Sequence, residues 1–186
     1  MNLQTFLDEV AATVAANDDE HVLTKQVADH LATLLTSGYR LPVELTRPDP
    51  DHHVNYPLHR TGTWCVAVVV WAPGQRTPVH GHETWGVVGI YSGAEREIRY
   101  AKPTTPGPLT ALDEQTFPAG SVTVCCTTDD DVHAVEAASA DPTIGIHVYG
   151  ADIGTIRRRR YDPATGEVTW FTGGWHEPSP AALPRR

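Results

Sequence analysis

Between Leu3 and Val14 the apolar residues Leu3, Phe6, Leu7, Val10 and Val14 recur at helical spacing. After the polar run "ANDDE", the residues Val22, Leu23, Val27, Leu31, Leu34 and Leu35 repeat the pattern, and Gly38 stands where a helix stops. Two amphipathic helices are therefore predicted over 1–37, each with a stripe that must be buried against another element. "RPDPDHH" reads as a loop. From Trp64 the texture changes to β-branched segments broken by Gly, Pro and Asp. The predicted strands are Trp64–Trp71, Trp85–Tyr91, Glu95–Tyr100, Ser121–Cys126, His133–Ala137, Ile144–Tyr149 and Val168–Phe171. Short strands with no helical period between them predict a mainly β fold, a closed sandwich or jelly-roll barrel with the helices on its outside.

Length and composition narrow this picture. A chain of 186 residues has room for one domain with a sizeable core, taken as 1–176 with the barrel over 61–176. The Pro-containing end, 177–186, is expected to be a loose tail. A hydrophobic fraction of 40%, with 15 Gly and 15 Pro, fits a turn-rich globular protein and argues against disorder.

The net charge of −9 argues against nucleic acid or an anionic membrane surface as partner. The basic run Arg157 to Arg160 reads as a solvated face. "MNLQTFLDEV" lacks the layout of a signal peptide, and no apolar stretch approaches membrane-spanning length. Cys65, Cys125 and Cys126 make a poor disulfide framework, because adjacent residues in a strand point to opposite faces. A reduced, cytoplasmic protein, monomeric or homodimeric, is expected.

The candidate chemistry lies in "TPVHGHETWGVVGIYSG", Thr77 to Gly93. His80 and His82 are two apart, so in a strand they share a face and can bind one ion together. Glu83, at an odd offset, turns away from them. A third ligand is expected from a later strand. Three neutral imidazoles leave the double charge of a divalent ion uncompensated, which suits a substrate bringing its own negative donors. They also leave about three positions open on an octahedral ion. Fe(II) makes dioxygen chemistry sensible there, while Ni, Cu or Zn fit the same ligands.

The frame Gly74, His80, His82, Gly86, Gly93 resembles the first metal motif of the cupin superfamily, G-x5-H-x-H-x3-E-x6-G, with Gly86 in place of the glutamate. Pro118, Gly120 and His133 resemble the second motif. With "IGIHVYGADIG" and "RRRRYDPATGEVTWFTGGW", the stretch from about Tyr56 to Trp175 resembles the cysteine dioxygenase-type cupins, nearest to the bacterial 3-mercaptopropionate dioxygenases. The resemblance implies a cupin jelly-roll, or double-stranded β-helix, with two N-terminal α-helices. It implies Fe(II) held by His80, His82 and His133, and a small thiol oxidised by O2 to its sulfinate. His147 and Tyr149 match the last two members of an outer-sphere Ser-His-Tyr relay. Gly86 stands where the mammalian-type enzymes carry a cysteine cross-linked to the tyrosine.

Three departures from the family pattern concern the substrate. Gly145 replaces the relay serine, Gly81 replaces the usual aspartate between the first two ligands, and the upstream carboxylate anchor aligns near "HHVNYPLHR". Asn55 is the best match to that anchor, with His53 and Arg60 as neighbours, and Arg158 matches a family arginine that reaches the substrate carboxylate. Two other readings stand beside the thiol dioxygenase. One is an Fe(II) cupin oxygenase acting on a different, non-thiol substrate, and the other is a metal- or ligand-binding cupin without turnover.

Overall fold

Asn2 and Asp19 start the two helices by chemistry that the chain carries locally. In the computed structural model, which describes residues 1–128 and 131–178, the Asn2 side chain accepts from the Thr5 N–H at 2.9 Å. It opens α1, Leu3–Ala16. Asp19 accepts from the N–H groups of His21 and Val22 and opens α2, Glu20–Thr36. Gly38, at φ +79, takes the left-handed conformation that ends α2. Both helices extend the predicted stripes by a residue or two at their ends.

Eleven strands follow among the described residues: β1 Val54–Arg60, β2 Cys65–Trp71, β3 Val79–His80, β4 Gly86–Ser92, β5 Ala94–Tyr100 and β6 Ala111–Pro118. The rest are β7 Val122–Cys126, β8 His133–Ala137, β9 Thr143–Tyr149, β10 Arg158–Tyr161 and β11 Val168–Phe171. They form two antiparallel sheets, one in the order β1-β2-β9-β4-β7 and the other β11-β10-β3-β8-β5-β6. The fold is mainly β, a double-stranded β-helix with two N-terminal helices.

The first sheet is covered on both faces, which is why β2 and β9 are buried along their whole length. Strand alternation sorts their side chains. Val66, Val68 and Val70 of β2, with Ile144, Ile146 and Val148 of β9, join Phe6, Val10, Val27, Leu31 and Leu34 of the helices in one core. Fully burying a side chain of this size contributes about 1.5–3 kcal/mol. Gly89 of β4 lets α2 approach closely, since a Cβ there would lie 2.9 Å from carbons of both Leu31 and Leu35. The opposite parity, Ala67, Val69, Trp71, His147 and Tyr149, faces the barrel interior.

Four elements depart from the sequence expectation. β1 joins the sheet at Val54, ahead of position 61, as an edge strand in which Pro57 is tolerated. β6 pairs with β5 but is exposed almost throughout, so no apolar alternation announces it. β3 is only two residues long, and His82 lies beyond its end. The basic run is also partly a strand: β10 buries Arg158 and Tyr161. Residues 179–186 of the expected tail lie outside the described residues. No helix among the described residues is long and apolar enough to cross a membrane.

Candidate metal centre

The second sheet brings His80, His82 and His133 together. β3 and β8 pair with His80 directly opposite His133. Gly81 donates its N–H to the Arg159 carbonyl at 3.0 Å, which keeps the chain extended past β3 and returns His82 to the same side. One ligand atom from each of the three lies within 4.8 Å of the others. Their ring centroids are 4.8 to 4.9 Å apart, and all three side chains are buried.

Two of the rings are oriented from behind. His80 Nδ1 lies 3.0 Å from the Pro78 carbonyl, and His133 Nδ1 lies 2.5 Å from Glu97 Oε1. An Nδ1–H committed to an oxygen leaves Nε2 with its lone pair free for a metal. His133 Nε2 is buried with no hydrogen-bond partner, so its lone pair fits a metal ligand. Burial first, then the neighbouring His133, holds the His80 imidazole well below its ordinary range. Burial first, then His80 and His133, does the same for His82. Both rings are therefore neutral donors. The donor set fits a divalent transition metal with imidazole ligands.

Among the described residues, no carboxylate joins the three rings. Glu83 sits at φ +59 and forms a two-pronged ion pair with Arg159 at 2.6 and 2.6 Å, so it faces away as its odd offset predicts. Gly81, where the resembled family has aspartate, has its side-chain space taken by Asp131. A Cβ at 81 would lie 2.8 Å from Asp131 Oδ2, which instead accepts the Glu83 N–H.

The three histidines open on a small cavity of about 50 Å³ between the sheets. From the first sheet His147 and Tyr149 line its far wall, with His147 Nδ1 2.9 Å from the Tyr149 hydroxyl. The Tyr149 ring stacks on His82 at 5.1 Å. Burial lowers the His147 imidazole to about 3 and pushes the Tyr149 phenol well above its ordinary range, so both are neutral. Gly145 is where the resembled family has its relay serine, and the lack of a side chain here has a steric reason. A Cβ there would lie 2.4 Å from His147 Nε2. That nitrogen is buried without a hydrogen-bond partner.

Among the expected substrate contacts, Asn55 and Arg158 line the cavity and Arg60 does not. The Arg60 guanidinium binds Asp152 at 2.7 and 3.1 Å and lies over the Trp175 ring, at the exposed end of β1. Among the described residues, Arg158 is the only Arg or Lys lining the cavity. It is 7% exposed, rests over the Phe171 ring at 4.6 Å, and has an unpartnered Nε. Gly173 makes room for it, since a Cβ there would lie 2.5 Å from Arg158 Nη2.

Sequence reasoning missed Glu95 and Glu97, both buried. Glu97 orients His133, and Glu95 lines the cavity with its Oε2 unpartnered. Burial first, then Glu97, raises the Glu95 carboxyl to about 8, so it is protonated at neutral pH. The available signal was the alternation in "AEREIRY", which places both acids on one face of β5. His53 also lines the cavity, stacked on Trp71 at 4.4 Å and lowered to about 4 by burial and then His176.

No family model matches the chain. Among solved structures, it is similar to an uncharacterized conserved protein with a double-stranded β-helix domain from Klebsiella pneumoniae. The identity is 19% over 74% of this chain and 93% of that one, at a TM-score of 0.46. A cupin superfamily protein from Desulfitobacterium hafniense is 12% identical over 60% of this chain and 90% of that one, also at 0.46. An oxalate decarboxylase from Lactobacillus farciminis, in a formate complex, is 16% identical over 62% of this chain and 36% of that one, at 0.47.

Proposed function

We propose that the chain is a non-haem Fe(II)-dependent thiol dioxygenase acting on a small thiol carboxylate of the 3-mercaptopropionate or cysteine type. The observation that carries this reading is the convergence, on one small cavity, of three imidazoles, the His147–Tyr149 pair and the Arg158 guanidinium. His80, His82 and His133 would hold the iron, which when bound supplies the centre where thiolate and dioxygen meet. In the overall reaction a thiol and O2 give a sulfinic acid. Both oxygen atoms enter the product, sulfur is oxidised by four electrons and dioxygen is reduced by four.

Charge favours an anionic substrate. The triad contributes no negative charge to set against a divalent ion, Glu95 is neutral at pH 7, and Arg158 adds a further positive charge. A thiolate and a carboxylate on one small molecule neutralise this surplus. Arg158 offers charge-assisted donors to the carboxylate, and Asn55 offers an uncharged amide beside it. Tyr149, held by His147, offers a phenolic proton to oxygen bound in the cavity.

The test is oxygen uptake by the iron-loaded protein with 3-mercaptopropionate, cysteine and cysteamine. The acidic thiols are expected to drive uptake with one sulfinate formed per O2. No uptake with any thiol would contradict the proposal. The second reading, an Fe(II) cupin oxygenase for a non-thiol substrate, is favoured by the neutral Glu95 carboxyl, a hydrogen-bond donor that a thiol carboxylate does not require. A third reading, a binding cupin without turnover, would show full metal loading and no oxygen chemistry.

A further inference from the structure

Cys125 and Cys126 do not point to opposite faces. The pairing of β4 with β7 shifts register between Gly86 and Val87, and this bulge brings both thiols over Gly86. A Cβ at Gly86 would lie 2.8 Å from Cys125 Sγ and 2.7 Å from Cys126 Sγ. The glycine is what gives the two sulfurs room. They lie 3.4 Å apart, both buried, and with one ring nitrogen of His82 they form a group whose donor atoms are all within 4.8 Å of one another.

His82 is distinguished within the triad. Nδ1 of His80 is committed to Pro78 and Nδ1 of His133 to Glu97, whereas Nδ1 of His82 is buried without a partner. His82 is 3% exposed. An uncommitted imidazole beside two buried thiols is a donor set of a different character from the triad. Two thiolates and a neutral imidazole cancel the full charge of a divalent ion, where three imidazoles cancel none. Sulfur donors select soft ions such as Cd(II), Cu(I) and Zn(II) over harder ones.

We propose that His82, Cys125 and Cys126 form a second metal site for thiophilic ions, joined to the histidine triad through the shared His82. Capture of such an ion releases the two thiol protons and engages one of the three triad ligands. The chain would then sense or be inhibited by soft metals at a position distinct from the triad's own centre. This inference rests on the donor geometry alone and does not need the dioxygenase reading.

The experiment uses the full chain, kept reduced with a phosphine and titrated with Cd(II). The expected result is a thiolate-to-cadmium charge-transfer absorption that saturates at about one equivalent. It should persist in Cys65→Ser and in His133→Ala, which breaks the triad but leaves the second donor set. It should be lost in the Cys125→Ser/Cys126→Ser double variant. X-ray absorption of the wild-type protein with one equivalent of Cd(II) gives a readout independent of variant folding, and two sulfur scatterers are expected. A shell of nitrogen and oxygen only, or an absorption that disappears with Cys65, would overturn the proposal. Fe(II) retention by the double variant reports on the triad separately, so failure of one proposal is distinguishable from failure of the other.

Discussion

Glu97 and His133 lie on neighbouring strands with Oε1 of one 2.5 Å from Nδ1 of the other, and both side chains are buried. The contact fixes the imidazole so that Nε2 turns toward His80 and His82. Partners of this kind commonly change metal affinity by about 10- to 100-fold when removed. With the proposed Fe(II), Glu97→Gln, which keeps the shape, is expected to weaken binding toward the lower figure, and Glu97→Ala toward the higher. Competition titration with a chelator checks this. Unchanged affinity in both variants would show that Glu97 does not serve the centre.

Gly145 and His147 make a second case in which an apparent loss is a fit. A side chain at 145 would collide with the His147 ring, so Gly145→Ala should either displace the imidazole from Tyr149 or strain the core. Overpacking of this type costs about 1–3 kcal/mol. Urea unfolding of the variant should show that loss, together with slower oxidation. A variant as stable and as active as the wild type would mean that the ring is not held there.

Glu95 sets a pH dependence. Its folded carboxyl titrates near about 8, against an ordinary value of 4.5. Between those values the folded chain binds more protons than the unfolded chain, so stability falls as pH rises from about 4.5 to about 8. Metal-free wild-type protein should lose on the order of a few kcal/mol relative to Glu95→Gln across that window. The difference should vanish below the window. Urea midpoints of the two proteins at a series of pH values test it, and parallel profiles would contradict it.

Arg158 is predicted to select for acidic substrates. Removing a charge-assisted hydrogen bond costs about 1.5–3 kcal/mol, so Arg158→Ala should raise KM for 3-mercaptopropionate by about 10- to 100-fold. Cysteamine, which has no carboxylate, should be affected much less. Equal effects on the two thiols would remove the proposed carboxylate contact.

Much of the fold was legible because a single physical signal dominated each element. The helical stripes around Leu31 and the continuous apolar run Val66–Val70 each have one plausible burial, and the helix caps are encoded locally. β6 was not legible, since an exposed edge strand has no need of apolar alternation. The run Arg157–Arg160 misled because its charge hides a strand that turns Arg158 inward, where Gly173 and Phe171 accommodate it.

At the site, the shared side of His80 and His82 was legible in their two-residue spacing, while His133 joined them only through the resemblance to the second motif. The surroundings of Arg60 were not legible, since proximity in sequence to Asn55 says nothing of the Asp152 carboxylate that it binds. The Cys125–Cys126 contact depends on a bulge at Cys125 in β7, which no alternation rule anticipates.

The most direct test of the account is the metal content of the chain, isolated without a histidine tag and reconstituted with Fe(II). The account predicts about one equivalent of tightly held iron in the wild type, and its loss in each of His80→Ala, His82→Ala and His133→Ala. A wild-type chain that retains no iron, or a folded triple-alanine variant that retains as much as the wild type, would contradict it.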